Sequence, residues 1–509
     1  MTFWLALAPI LLILFLMVAL RWGAARSGAA GYLLTLAIAV FAFGSGTELL
    51  AYAHVKALLL TIDVLLIIWA AFLLYRVADE AGAIATIGRA LPHLTSDVGM
   101  QALILGWVFA TFLQGVGGFG VPVAVIAPIL ISLGFAPLAA VVIPSIGHGW
   151  AVTFGSLGSS FNALMAATGM PGEELASSAA LLLGACGIAT GWMVAHAGGS
   201  WAAVRRLTWV VIILGGVMAA VLYIVVSAGF WNLGSMAAGA AGLLLVFPIA
   251  ARFRGQHTDN GKLEIRPLLV AMSGYAVLVL VILFVQLVHP VRDFLGQLVI
   301  QLPIPELRTI LGHVTPGGFT RSLYVFRHTG MVLVYATVLA YLIYWRAGLY
   351  SPGAVGRIVN GTVQRVTSSS VSIASMVAMA VIMETSGMTA TLALSLAAFV
   401  GVLYPLMAPW IGAIGAFMTG SNTNSNVVFA ALQLRTALLL GYDAAVILAA
   451  QTAGAAVASI MAPTKVVVGA STGGMAGREG EVMRKLAVYT VLLLLLLSAL
   501  AAIGVWLVN

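Results

Sequence analysis

Charge is what this chain has least of. Among its 509 residues only 7% are Asp, Glu, Lys or Arg, while 62% are hydrophobic. A water-soluble domain carries about 25% charged residues, so 23 basic and 15 acidic side chains cannot solvate a protein of this size. A soluble enzyme, a nucleic-acid-binding domain and a disordered scaffold are thereby excluded. Cysteine is nearly absent: Cys186 stands alone in an apolar run, permits no intrachain disulfide and reads as a small buried hydrophobe. No HExxH set, no DxxxD motif and no GK[ST] after a glycine-rich turn occurs. Intramembrane metalloproteolysis, prenyl or phosphoryl transfer and a phosphate loop therefore lack their signatures, and nothing asks for a cofactor or a metal. The net charge of +8 is dispersed as single residues in short loops. Such a pattern sets orientation in a bilayer rather than binding nucleic acid.

What is present is a series of apolar runs of spanning length, roughly 17–25 residues. They lie near 3–22, 29–44, 57–78, 137–168, 176–197, 207–228, 234–252, 267–289, 329–347, 405–439, 443–463 and 486–507. The first has no basic region before it and Arg21 and Arg26 after it, which reads as a retained helix with its start outside the cytoplasm. Runs 137–168 and 405–439 exceed one straight helix, and each carries Gly, Ser, Thr or Asn in its middle. Both read as broken helices. Runs 98–133 and 369–403 are interrupted at Gly115–Val121 and Glu384–Thr389 and read as re-entrant hairpins.

Internal repetition follows. With the two broken runs aligned, Pro137, Leu138, Ile146, Gly147, Phe161, Ala163 and Leu164 fall opposite the identical Pro405, Leu406, Ile414, Gly415, Phe429, Ala431 and Leu432. Upstream, FLLYRV at 72–77 parallels YLIYWR at 341–346, and amphipathic stretches at 79–95 and 350–366 follow them. The expected fold is an all-α polytopic membrane protein of 12 or 13 spans, built from two inverted repeats, each with a hairpin and a broken helix. Residues 1–56 are N-terminal helices, 57–206 the first repeat, 207–328 a connecting region, 329–485 the second repeat and 486–509 a last helix. Basic-residue counting over twelve spans makes the repeats parallel, and a further crossing at Phe294–Leu311 would restore inversion.

Unwound turns at membrane depth are tolerated only where they line a wet cavity or a site, so the breaks hold the candidate residues. Thr419–Asn426, TGSNTNSN, places Ser421, Asn422, Thr423 and Asn424 in an apolar run, able to coordinate a cation or donate to a carboxylate. Gly147–Gly158 offers His148 and Thr153; His148 is a proton carrier, a substrate donor or a satisfied buried histidine. The hairpin tips add Gln114, Gly118, Phe119 and Gly120 in one, and Glu384, Thr385 and Ser386 in the other. Acids at membrane depth are costly, and only Asp63 and Glu384 qualify. Glu384, at a tip, is the candidate for proton coupling, with His148 as the alternative. Lys465, after Pro463, is either a snorkelling end residue or a cation facing the substrate, and His196 holds the corresponding place in the first repeat.

The segments FLQGVGGFGVPVAVIAPILISLGFAPLAA (112–140) and GSNTNSNVVFAALQ (420–433) resemble the lactate permease family of bacterial inner-membrane transporters. Thr389–Ser395 and GREGEVMRKLAVYT (477–490) fit the same family, and the resemblance covers about residues 55–490. It implies multi-pass insertion in the inner membrane and proton symport of L-lactate, D-lactate and glycolate. It also implies a fold related to ion transporters with paired Ser-Asn-Thr motifs, Ser421-Asn422-Thr423 being one of them. The first repeat has His148, Thr153 and Phe154 instead of a second. The chain departs from the family pattern with Gln114 and Asn422 at positions where acids are expected, which shifts the proton to Glu384 or His148. His148 and Lys465 leave room for a more anionic substrate such as a dicarboxylate. The alternatives are a sodium-coupled carboxylate transporter with Asn422, Thr423 and Asn424 as cation ligands, and a passive anion channel.

Overall fold

The computed structural model describes residues 2–118, 120–253 and 265–508; Phe119, Arg254 and Lys262 lie outside them. Among the described residues, eleven helices are long and apolar enough to cross a bilayer. The chain opens with α1 (Thr2–Val18), α2 (Ala24–Phe41) and α3 (Thr47–Glu80), followed by the short amphipathic α4 (Ala83–Ala90). A helical hairpin comes next, with α5 (Val98–Leu103), a π-helical turn at Ile104–Phe109 and α6 (Ala110–Val116) as one arm and α7 (Val121–Ser132) as the other. Then α8 (Pro137–Gly149) stops, nine residues run without helix, and α9 (Ser159–Thr168) resumes, so 137–168 is the expected broken span. A β-carbon on Gly147 would meet the Gly106 carbonyl oxygen at 1.7 Å, so these two glycines let α8 cross the hairpin arm at backbone contact.

Helix α10 (Gly172–Ser227) is two spans in one. Ser200, in the left-handed region at φ 61°, turns the chain back, and the Ser177 and Ser227 hydroxyls meet at 2.9 Å across the antiparallel halves. Helices α11 (Gly234–Ala250), α12 (Ile265–Leu287) and the short α13 (His289–Leu295) lead to six two-residue strands: β1 (Val299–Ile300), β2 (Pro303–Ile304), β3 (Leu307–Arg308), β4 (Val314–Thr315), β5 (Gly318–Phe319) and β6 (Leu323–Tyr324). They pair antiparallel and nested, β1 with β6, β2 with β5 and β3 with β4, as one long β-hairpin. The expected crossing at Phe294–Leu311 is thus not a helix, because Pro303 and Pro305 interrupt it and its residues pair along the β-hairpin instead.

The second half begins with α14 (Thr329–Arg346) and the 32-residue α15 (Ala354–Thr385). The stretch 350–366 is not a separate surface helix, since nothing breaks the helical run between it and Thr385. Helix α16 (Met388–Val400) packs on α18 and α1 more than along α15, so 369–403 is not a two-armed hairpin. The hairpin sits further on. Helix α17 (Tyr404–Thr419) and α18 (Asn422–Leu440) lie antiparallel: the Tyr404 hydroxyl donates to Gln433 Oε1 at 2.5 Å, Gln433 Nε2 to the Ala408 carbonyl at 3.0 Å and the Ser425 hydroxyl to the Gly412 carbonyl at 2.7 Å. Residues 405–439 therefore fold back rather than cross. The break comes later, between α19 (Ala444–Ala458) and α20 (Pro463–Thr472), ahead of the closing α21 (Glu479–Val508). The alignment of 137–164 with 405–432 thus matched a broken span to a hairpin.

Arg21, Arg76, Arg205, Arg206, Arg346, Arg357, Arg484 and Lys485 all fall at one end of the bundle, where Arg357 Nε pairs with Glu80 at 2.7 Å and Arg206 pairs with Asp97. The β-hairpin lies at the other end.

Candidate functional site between the hairpin tips and the helix breaks

Gly118 and Gly420 carry the two tips that reach the middle of the bundle, with φ of 61° and 72°. Each tip rests on a helix break. A β-carbon on Gly118 would fall 1.7 Å from Ser156 Oγ, and one on Gly420 would fall 2.4 Å from Thr464 Oγ1. The first break is held to its tip by the backbone: Ser156 N–H donates to the Gln114 carbonyl at 2.8 Å and Leu157 N–H to the Gly115 carbonyl at 2.9 Å. Ser156, Leu157 and Gly158 all lie in the left-handed region, at φ 47°, 53° and 78°. For the two that carry side chains this costs about 1–2 kcal/mol each. Strain of this kind persists where surrounding structure over-determines it, and it clusters at functional sites.

Gly134 supplies a control for these contacts. It also has positive φ, at 90°, but a β-carbon there meets nothing within 4 Å. Gly134→Ala is expected to lower stability by about 1–2 kcal/mol and to leave uptake intact. Gly118→Ala bears the same backbone cost and also pushes the tip off the break, so uptake should be lost. Thermal melting of the purified protein alongside uptake in vesicles separates the two; equal uptake in both variants would show that the tip contact is dispensable.

Three helices begin at one place. Ser159 and Ser160 at the start of α9, Ser421, Asn422 and Thr423 at the start of α18, and Lys465 in the first turn of α20 line a small pocket together with Gln114, Val152, Ser156 and Gly420. Its volume is about 20 Å³, and it adjoins a vestibule of about 320 Å³. The two share Gly420, Ser421 and Lys465, and the vestibule is further lined by Arg365, Ser368, Ser372 and Asn424. A helix start carries roughly half a positive charge and unpaired N–H donors. Three of them plus an ammonium make this an electropositive space, suited to a small anion. Lys465 Nζ has the Ser459 hydroxyl at 2.9 Å, one partner for three donors.

Side-chain amides hold the pocket's floor. Asn422 Nδ2 donates to Thr153 Oγ1 at 3.0 Å, Asn426 Nδ2 donates to the Ser160 carbonyl and to Thr452 Oγ1, each at 2.9 Å, and the Ser160 and Thr423 hydroxyls meet at 3.0 Å. Asn424 Nδ2 donates to Ser372 Oγ at 3.0 Å. Gln114 Oε1, Asn424 Oδ1 and Asn426 Oδ1 are buried acceptors left without a hydrogen-bond donor. An unmade bond of this kind costs about 1–3 kcal/mol, and a ligand that brings a hydroxyl or a cation removes the cost.

Of the residues expected at the site, Gln114, Ser421, Asn422 and Thr423 line the pocket, Asn424 lines the vestibule and Thr153 is bonded to Asn422. Gly118 and Gly120 shape the first tip, Gly120 facing Val468 of α20. Phe119 lies outside the described residues. His148 is buried, its Nδ1 2.6 Å from the Pro144 carbonyl, and it lines neither space. Glu384, Thr385 and Ser386 are elsewhere: because α15 runs unbroken, it carries them past this level to the other end of the bundle. There Glu384 pairs with Lys56 Nζ at 3.2 Å, and Thr385 and Ser386 bond carbonyls of their own helix. Ser160 and Thr452 were not assigned to the site from sequence, which leaves Lys465 open between a snorkelling end residue and a cation facing the substrate; the structure places it in the pocket wall. Pro463 followed by Thr and Lys after a spanning run signals a new helix start, and so marks Lys465.

A sequence profile of the family described as L-lactate permease matches residues 2–508. The chain is 26% identical to the L-lactate permease of Escherichia coli K12 over 449 residues, covering 82% of this chain and 80% of that one. It is 27% identical to the L-lactate permease of Bacillus subtilis, covering 96% and 93%. To the glycolate permease GlcA of Escherichia coli K12 it is 26% identical, covering 94% and 91%.

Proposed function

Because this chain belongs to the L-lactate permease family and is a multi-pass transporter of the bacterial inner membrane rather than an enzyme, we propose that it takes up L-lactate together with a proton. D-lactate, glycolate and other small 2-hydroxymonocarboxylates are the related substrates. The observation that carries this reading is the convergence of three helix starts and Lys465 on one pocket. The carboxylate lies against Lys465 and the first turns of α18 and α20, and the 2-hydroxyl donates to Gln114 Oε1. That contact satisfies one of the buried acceptors, and an acid without the hydroxyl leaves it unpaired.

The transport cycle draws on the arrangement of the helices. We take the basic end as cytoplasmic by the positive-inside rule, so the vestibule opens inward. Two inverted units are proposed: α3, α4, the hairpin α5–α7 and the broken span α8–α9 correspond to α15, α16, the hairpin α17–α18 and the broken span α19–α20. Rocking of one unit against the other opens the pocket, which has room for about one water in its present form. A sodium-coupled variant of the same reading is favoured by one observation, the unpaired Oδ1 of Asn424 beside the vestibule.

Competition tests the substrate class. Unlabelled D-lactate and glycolate should displace labelled L-lactate from the purified protein, whereas propionate, lacking the hydroxyl, should bind about 5- to 150-fold more weakly, the equivalent of ~1–3 kcal/mol. Equal competition by propionate would remove Gln114 from the site. Asn422→Ala is expected to weaken lactate binding over the same range, since it leaves Thr153 and the α18 start unsupported; unchanged affinity at normal expression would rule out the Asn-rich turn.

A further inference from the structure

At the end of the bundle opposite the vestibule lies a larger cavity, of about 420 Å³, which the pocket between the breaks does not include. It is several times the volume that a small carboxylate needs. Ala163 of α9 and Val427 of α18 line it, one turn along from Ser160 and Thr423 of the inner pocket, so the two spaces are stacked along the same pair of helices. Its roof is the β-hairpin, whose residues Phe319–Leu323 face inward. The hairpin is pinned by Ile310 N–H to the Gly44 carbonyl at 2.9 Å and by the Thr315 hydroxyl to the Thr385 carbonyl at 3.2 Å.

The cavity holds two cations and two acids, each cation engaged with an acid. Lys56 Nζ has Glu384 Oε2 at 3.2 Å, and both side chains are part-exposed to the cavity. Asp63 Oδ1 is 2.8 Å from His328 Nε2, which leaves Arg321 Nε only a long contact of 3.8 Å to the other carboxylate oxygen. We propose that this cavity is a second carboxylate-binding site, in which Lys56 exchanges Glu384 for the carboxylate of an incoming substrate while Arg321 takes its other oxygen. A proton on Glu384 cancels the ion pair and frees Lys56. The anion then supplies the charge that the glutamate has lost, so one proton and one monocarboxylate occupy the cavity together with no change in net charge. This rests on the lactate-uptake reading and adds to it a place where proton and anion are first taken up together.

The groups that face Glu384 are Lys56 and Asp63 from α3, Arg321 from the β-hairpin and His313 from its tip, with His328 bound to Asp63. The His313 imidazole hydrogen-bonds the Glu384 backbone, and burial, followed by the positive charge of Arg435, pushes its pKa below the usual histidine range.

Equilibrium binding of labelled L-lactate to the full chain in nanodiscs tests this. Lys465→Met removes the ammonium of the inner pocket. The inner pocket then binds roughly 10- to 150-fold more weakly, so at concentrations that saturate the wild type the variant should fill one site, whose binding strengthens as pH falls. Adding Lys56→Gln should abolish it, Lys56→Arg should preserve it, and Glu384→Gln in the Lys465→Met background should make it independent of pH. At those concentrations, binding that survives Lys56→Gln, or no binding in Lys465→Met, overturns the second site. A second measurement keeps Lys465 intact. Ser322→Cys, in the cavity wall, should react with a membrane-impermeant maleimide, and lactate should slow that reaction unless Lys56→Gln is also present; no protection by lactate counts against the site. Cys186 is buried and does not interfere. Wild-type vesicles that fail to take up lactate at all would defeat the uptake reading instead, which separates the two failures.

Discussion

Lys465→Met is expected to raise the half-saturating lactate concentration for uptake roughly 10- to 150-fold, the equivalent of the ~1.5–3 kcal/mol carried by a hydrogen bond to a charged group. Methionine keeps the length and apolar stem of lysine, so packing around the start of α20 changes little while the ammonium is lost. Lys465→Arg keeps the charge but presents a planar fork where a compact ammonium fits, and it should recover part of the affinity. Uptake measured against substrate concentration checks both. If Lys465→Met transports with unchanged half-saturation, the ammonium does no more than bind the Ser459 hydroxyl, and the carboxylate lies elsewhere.

The second large effect concerns the proton. Glu384→Gln keeps the shape of the side chain and one acceptor oxygen but cannot take up or release a proton, and it removes the negative partner of Lys56. The variant should still exchange internal for external lactate across the membrane, because exchange needs only the loaded carrier to reorient. Accumulation driven by a pH gradient should disappear. His148 is the contrasting position: its Nδ1 is committed to the Pro144 carbonyl, and it lines neither the pocket nor the vestibule. His148→Ala should therefore leave pH-driven accumulation in place. Survival of that accumulation in Glu384→Gln together with its loss in His148→Ala would move the proton to the histidine.

The spanning helices, the single break in 137–168 and the residues of the Asn-rich turn were legible in the sequence, because each depends on local chemistry. Apolar length specifies a crossing, and Gly420 followed by Ser421 ends one helix and caps the next within two residues. What local chemistry does not specify is where the second helix goes. A broken span and a hairpin share the pattern of helix, small polar turn and helix, so 137–168 and 405–439 looked alike. Only the contacts of Ser425 with Gly412 and of Gln433 with Tyr404 and Ala408, far apart in sequence, decide that the second segment doubles back. The same limit moved Glu384. The turn expected there is present, at Ser386 and Gly387, but the 32-residue α15 before it is uninterrupted and carries it to the far cavity. Lys56 and Arg321 carried no signal of their own, since each is a lone cation until the fold brings an acid against it.

Proton-coupled uptake is tested most directly by loading purified wild-type protein into proteoliposomes and imposing either a pH gradient, acid outside, or a sodium gradient at equal pH. Labelled L-lactate should rise inside above its external concentration under the pH gradient and only equilibrate under the sodium gradient. Accumulation driven by sodium alone, or equilibration under both gradients, would contradict proton-coupled uptake.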